Sequence, residues 1–129
     1  MYQKVAPMFL VENVDKAVEW YKDIFGAEPQ ASLPKEPPFE WVSLMLGDME
    51  IMFSQKKSAQ KWYSENVIVA EKPANFIAYI YVEDANNLYD RIKDKVKIIM
   101  EPVDQWYGIR EFAIQDPFGI ILIFAQIVE

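Results

Sequence analysis

Neither cysteine nor histidine occurs anywhere in this chain. Without cysteine there is no disulfide framework, no thiolate metal site and no thiol nucleophile. Without histidine the commonest general base and the commonest transition-metal ligand are both missing. Ser32, Ser43, Ser54, Ser58 and Ser64 therefore have no imidazole to activate them, and no nucleophile motif surrounds them. Glycine is scarce, with four in total, too few for a loop that cradles phosphate. No basic stripe is present; the net charge is −7 and the pI about 4.6, so nucleic acid is not an expected partner. No apolar run is long enough to cross a bilayer. Met1-Tyr2-Gln3-Lys4 leads into only a short apolar stretch before Glu12, which does not read as a signal peptide, so a cytoplasmic protein is expected.

What the chain does have is aromatic side chains. Four Trp, seven Tyr and eight Phe make 15% of the residues. Two readings stand side by side: a bulky core, or an aromatic-lined ligand cleft. With 129 residues and 52% hydrophobic content, one compact domain with a real core is expected over residues 1–129. The acidic balance suits solubility and would also steer cationic ligands.

The chain nearly repeats itself at an offset of 71. Val11-Glu12-Asn13-Val14-Asp15 aligns with Val82-Glu83-Asp84-Ala85-Asn86, Lys22-Asp23 with Lys93-Asp94, and Ile51-Met52-Phe53 with Leu122-Ile123-Phe124. Each copy reads as a strand (Val5 to Val11; Phe76 to Val82), an N-cap (Asn13; Asp84) and a helix. Val14, Ala17, Val18, Tyr21 and Phe25 recur at three-four spacing before Gly26; Ala85, Leu88, Tyr89 and Ile92 do so in the second copy. Three strands follow in each, about Gln30 to Leu33, Trp41 to Leu46 and Met49 to Ser54, then Lys97 to Glu101, Ile109 to Gln115 and Ile120 to Gln126. Gly47-Asp48 and Pro117-Phe118-Gly119 are the hairpin turns. The expected fold class is α+β: two βαβββ modules in tandem, about 1–55 and 75–129, forming a curled, barrel-like sheet with helices outside. A linker over about 56–74 joins them, with a short helical turn near Ser58 to Glu65.

Two stretches carry a resemblance. Val11 to Gly26, with its Asn-Val-Asp-Lys-Ala-Val-x-Trp-Tyr-Lys-Asp-x-Phe-Gly run, and Tyr107-Gly108-Ile109-Arg110-Glu111-Phe112-Ala113 followed by Asp116-Pro117-Phe118-Gly119 resemble the glyoxalase / bleomycin-resistance / extradiol-dioxygenase superfamily, the vicinal oxygen chelate fold. The closing motif most resembles the bleomycin-resistance-protein branch. Metalloenzymes of that superfamily take ligands from the first and last strand of each module. Here those slots fall on Ala6, Met52, Ile77 and Ile123, none of which offers an oxygen or nitrogen donor. Among neighbours only Glu50 and Gln126 are plausible donors, with Glu50 expected on the opposite face.

The resemblance to the drug-binding branch implies an aromatic sandwich for a flat heteroaromatic group, formed by Trp41 and by Trp106 or Tyr107. The alternative is that Trp41 and Trp106 pack against their own helices. Phe39, Glu40 and Asp104 lie close by in sequence and would suit a cationic ligand, or are solvated rim charges. Met52 would be a greasy pocket floor, or core. Arg110 reads as structural. The expected function is a metal-free, cofactor-free protein that sequesters a flat, cationic or neutral small molecule as a homodimer, with antibiotic binding and resistance as the branch implies. The rival is a metal-dependent glyoxalase-like lyase or isomerase, or a dioxygenase, with shifted ligands; a third reading is a degenerate module that only pairs with partners.

Overall fold

A computed structural model describes residues 1–71 and 76–129. The chain divides into two compact units, Met1–Glu71 and Lys72–Glu129. The end of the expected linker, residues 72–74, and the first residue of the expected second module, Asn75, lie outside the described residues.

In the first unit, strand β1 (Met8–Val11) runs into helix α1 (Val14–Phe25). Asn13 has extended backbone, and its side chain accepts from the Lys16 N–H at 3.0 Å, so one otherwise orphaned donor is satisfied where the helix begins. Val14, Ala17, Val18 and Tyr21 form the buried stripe. Gly26 ends the helix at φ 69°; its N–H bonds the Lys22 carbonyl, and the Ala27 N–H reaches the Tyr21 carbonyl. Strands β2 (Glu28–Leu33), β3 (Trp41–Leu46) and β4 (Met49–Gln55) complete a sheet in the order β1-β4-β3-β2, with β1 parallel to β4. Helix α2 (Lys56–Trp62) begins directly after β4 and buries Ser58 and Ala59 within this unit. The residues read as linker thus start with a packed helix, two residues earlier than expected.

The second unit repeats the plan. Strand β5 (Ile77–Tyr81), helix α3 (Ala85–Ile92) and strands β6 (Lys97–Asp104), β7 (Ile109–Gln115) and β8 (Ile121–Ile127) give the order β5-β8-β7-β6. Asp84 caps α3 through the Asn87 N–H at 3.0 Å. The fold class is therefore α+β, two βαβββ modules in tandem.

Some boundaries differ from expectation. Strand β1 begins at Met8 rather than Val5: Pro7 has no N–H to give to a ladder, and its carbonyl already accepts from the Met52 N–H. Strand β6 runs on past Glu101 to Asp104, because Val103 and Asp104 resume pairing with Glu111 and Arg110 after a register irregularity. That irregularity contains Pro102, on an edge strand, where proline is tolerated.

In each sheet one face packs on a helix. Phe53 meets Tyr21 at 5.1 Å between ring centroids, with Val42 and Leu44 buried alongside. Phe112 meets Tyr89 of α3 at 5.3 Å and stacks on Phe124 at 5.2 Å. Strand alternation places Trp41, Ser43, Met52 and Ser54 on the other face of the first sheet, and Glu111, Ala113, Ile123 and Tyr81 on the other face of the second.

The two modules are related by their registers. Met8 pairs with Met52 and Tyr79 with Ile123, both shifted by 71. The β3–β4 turn, however, holds two residues, Gly47 and Asp48, whereas 117–119 separate the bonded Asp116 and Ile120. One extra residue in the second turn sets Trp41 against Glu111, since Trp41 pairs with Ser54 and Glu111 with Ala125. A constant offset of 71 would have matched Trp41 with Phe112, a helix-side core residue.

Candidate functional site

The side chains able to do chemistry gather on the helix-free face of the second unit. Glu111 lies in the middle strand pair and is buried, with 4% of its surface exposed. Its carboxylate accepts from the Tyr79 hydroxyl at 2.5 Å, the Tyr107 hydroxyl at 2.6 Å and the Gln105 side-chain amide at 3.1 Å. Three stretches of chain converge there: β5 supplies Tyr79, β7 supplies Glu111, and the β6–β7 connection supplies Gln105 and Tyr107. That connection is tight. Gly108 sits at φ 81°, a conformation that strains any residue with a Cβ, and a Cβ there would also displace the Glu129 side chain, whose carboxylate lies 2.8 Å away.

Burial alone would raise the Glu111 pKa, and this is the largest single influence. Hydrogen bonds from Tyr107, Tyr79 and Gln105 together outweigh it and hold the carboxyl below its usual 4.5. The same bonds act in reverse on the phenols. Hydrogen bonding to Glu111 raises the Tyr79 pKa far above its ordinary 10.0, and raises that of Tyr107 as well. Each hydroxyl keeps its proton and is committed to the carboxylate.

Glu111, lowered in the folded state, contributes stability above the usual carboxylate pKa that is lost as pH falls through its folded value. Tyr79 and Tyr107, raised in the folded state, contribute stability below pH about 10 that is lost as pH climbs through their folded values. In an absorbance titration of tyrosinate, a fraction equal to two of the seven tyrosines should stay protonated beyond pH about 10. Tyr79→Phe with Tyr107→Phe should abolish that fraction. A wild-type curve with no retarded component would rule out these bonds.

Around Glu111 the aromatic rings stay open. Trp106 is 91% exposed, Tyr81 63%, Tyr107 45% and Tyr79 41%. Tyr79 and Tyr81 meet edge to face at 5.5 Å, as do Trp106 and Tyr107 at 5.2 Å. Trp106 does not pack against a helix. Trp41, in the first unit, is half-buried, pairs with Ser54 and Leu33, and stands on the face of its own sheet opposite α1.

The remaining expected residues have other partners. The Phe39 N–H donates to Asp15 at 2.9 Å, tying the loop before β3 to α1. Glu40 accepts from the Ser58 hydroxyl at 2.9 Å and pairs with Lys61 at 3.5 Å, which anchors α2. Asp104 takes a two-pronged bond from Arg110 at 2.6 and 3.1 Å, so the two side chains are committed to each other. Met52 sits between Met8 and Ser43.

Glu50 corrects the expectation about its direction. Residues two apart on a strand share a face, and Glu50 accepts from the Ser43 hydroxyl at 2.5 Å, Ser43 being the residue paired with Met52. Glu50 is thus on the Met52 face, ion-paired to Lys4 at 2.7 Å; that bond and the one from Ser43 lower its pKa. Gln126 is also committed: its side-chain oxygen accepts from the Ala85 N–H at the start of α3.

Sequence reasoning passed over Tyr79, Tyr81 and Glu111. A signal was present for each. Ile77-Ala78-Tyr79-Ile80-Tyr81 puts two tyrosines on one face of a strand by simple alternation, and Glu111 is an acid inside a strand that continues Phe112-Ala113-Ile114.

The family model of the Glyoxalase/Bleomycin resistance protein/Dioxygenase superfamily matches residues 5–124. The chain belongs to that superfamily. No curated protein matches it significantly. Among solved structures, TioX from Micromonospora sp. ML1 is 16% identical with a TM-score of 0.77, over 96% of this chain and 95% of that one. A glyoxalase/bleomycin resistance protein/dioxygenase from Nocardioides is 12% identical with a TM-score of 0.81, over 100% and 86%. A glyoxalase-related enzyme from Fulvimarina pelagi is 17% identical with a TM-score of 0.76, over 97% and 88%. At these identities the likeness shows the shared fold.

The divalent ion that the superfamily's metalloenzymes use does not fit the residues at the four positions where the sequence resemblance puts its ligands. Ala6, Ile77 and Ile123 have hydrocarbon side chains, and Met52 offers only a thioether, a poor match for a hard divalent cation. Among the described residues no group of three or more Asp or Glu side chains is placed to hold a metal.

Proposed function

We propose that this superfamily member binds a small, flat organic molecule on the helix-free face of its second module and does not transform it. One observation carries the reading: Tyr79, Tyr81, Trp106 and Tyr107 keep open rings around a buried carboxylate instead of filling a core. Exposed aromatic surface of this kind is costly unless something covers it, and ring faces held by strands and a tight turn suit a planar partner. The apolar character of Ala6, Met52, Ile77 and Ile123 supports binding over metal-dependent turnover. From the expected ligand-binding set, Trp106 and Tyr107 are carried forward. Glu40 and Asp104 are not, since Lys61 and Arg110 already neutralise them.

A bleomycin-type glycopeptide, with its flat heteroaromatic tail, is the probe suggested by the closing motif. Titrated into the protein it should quench tryptophan emission saturably at micromolar concentration, and Trp106→Phe should remove most of the signal. An unquenched emission would exclude that ligand. Stoichiometric Ni, Zn, Mn or Fe in protein purified without chelator would overturn the metal-free reading in favour of an enzyme.

A further inference from the structure

We infer that the ligand of this face carries a positive charge, which sits against the rings of Tyr79, Tyr81 and Tyr107 with Glu111 as its counter-charge. This deepens the binding reading above and rests on it.

The carboxylates of the molecule are partnered unevenly. Glu50 pairs with Lys4, Glu12 with Lys56, Glu40 with Lys61 and Asp104 with Arg110. All of these are less buried than Glu111 or lie at the surface. Glu111 is the most deeply buried of them, yet among the described residues no Lys or Arg forms an ion pair with it; its three partners, Tyr79, Tyr107 and Gln105, are neutral. Arg110, its neighbour in the chain, is engaged with Asp104. A carboxylate removed from water is normally matched by a cation or neutralised. Here neutral donors keep it charged and leave its charge without a countercharge.

The donors also shape what the site offers. Each tyrosine has used its hydroxyl on Glu111, so its remaining exposed surface is ring. A phenol that donates to a carboxylate gains electron density in the ring, which strengthens the attraction of the ring face for a cation. Tyr81 adds a third ring, edge to face with Tyr79. A flat cation would therefore meet three rings and the field of one buried charge. Glu111 acts through the tyrosines, as a positioning and charge-supplying residue.

The test compares two flat probes of nearly one shape, N-methylquinolinium and quinoline, by calorimetry at pH 8, where quinoline is neutral. The wild-type protein should bind the cation about tenfold more tightly. Glu111→Gln should reduce that preference to about threefold or less, weakening the cation by a clearly larger factor than quinoline. Equal affinities in the wild type would overturn the charge inference and leave the flat-ligand reading standing. Binding of neither probe would overturn both. A Glu111→Gln protein that keeps the full preference, or loses both probes in parallel, would show Glu111 to be structural only. Should that variant not fold, Tyr79→Leu decides the same point: it should weaken the cation by a larger factor than quinoline, and an equal loss would overturn the inference.

Discussion

Phe112→Ala should cost about 3–5 kcal/mol of unfolding free energy, the largest loss expected from any single truncation in the second module. Phe112 is fully buried, stacked on Phe124 and edge-on to Tyr89 of α3. Its removal takes away apolar burial and two ring contacts together. It also opens a cavity between a sheet and a helix that are both held by their own hydrogen bonds, so the space closes only in part. Ile123→Ala, on the opposite face and half-buried, is the control and should cost clearly less. Denaturant unfolding of the three proteins checks this; a loss under about 1 kcal/mol for Phe112→Ala would mean that α3 does not pack on β7 as described.

Asp116→Ala should be the next most damaging change, at about 1–3 kcal/mol for each buried donor it strands. Asp116 is buried, and its Oδ1 accepts from the Phe118 N–H at 2.9 Å and from the Ile120 N–H at 2.8 Å. It thereby holds the β7–β8 turn from inside, while Gly119 adopts φ 93° beyond it. Asp116→Asn keeps an acceptor oxygen in the same place and should lose much less. The contrast separates a hydrogen-bonding role from a requirement for charge. Equal losses in the two variants would show that the charge matters, and no loss in either would remove the turn from the list of stabilising features. The prediction reaches the candidate site too, because the length of this turn sets the register that brings Glu111 to Ala125 rather than its neighbours.

Much of the architecture was visible in residue order. The offset of 71 aligned β1 with β5 and β4 with β8, and the parallel pairs Met8–Met52 and Tyr79–Ile123 repeat it. Caps were equally legible, since Asn13 and Asp84 act within three residues of themselves.

The site was less legible. Glu40 and Asp104 look like free carboxylates in the sequence, but Lys61 lies 21 residues from Glu40, and Asp104 meets Arg110 only when β6 and β7 pair. Tyr79 and Glu111 are 32 residues apart and on strands that are not neighbours in the sheet. The expected aromatic sandwich sets Trp41 against Trp106 or Tyr107, the latter two being adjacent to the closing motif; Tyr79 and Tyr81 belong to the same face as Glu111 through β8, which no local pattern reports.

Residue identity and spacing alone determined that this protein is a doubled βαβββ chain of the glyoxalase superfamily. Those properties depend on short-range periodicity, capping and side-chain chemistry, which a linear string records. Only the tertiary structure decided that Glu111 is the carboxylate at the centre of the aromatic face and that Glu40, Glu50 and Asp104 are spoken for. Partnership between charges is set by strand register and by one extra residue in a turn, and these become distances only when the sheet has formed.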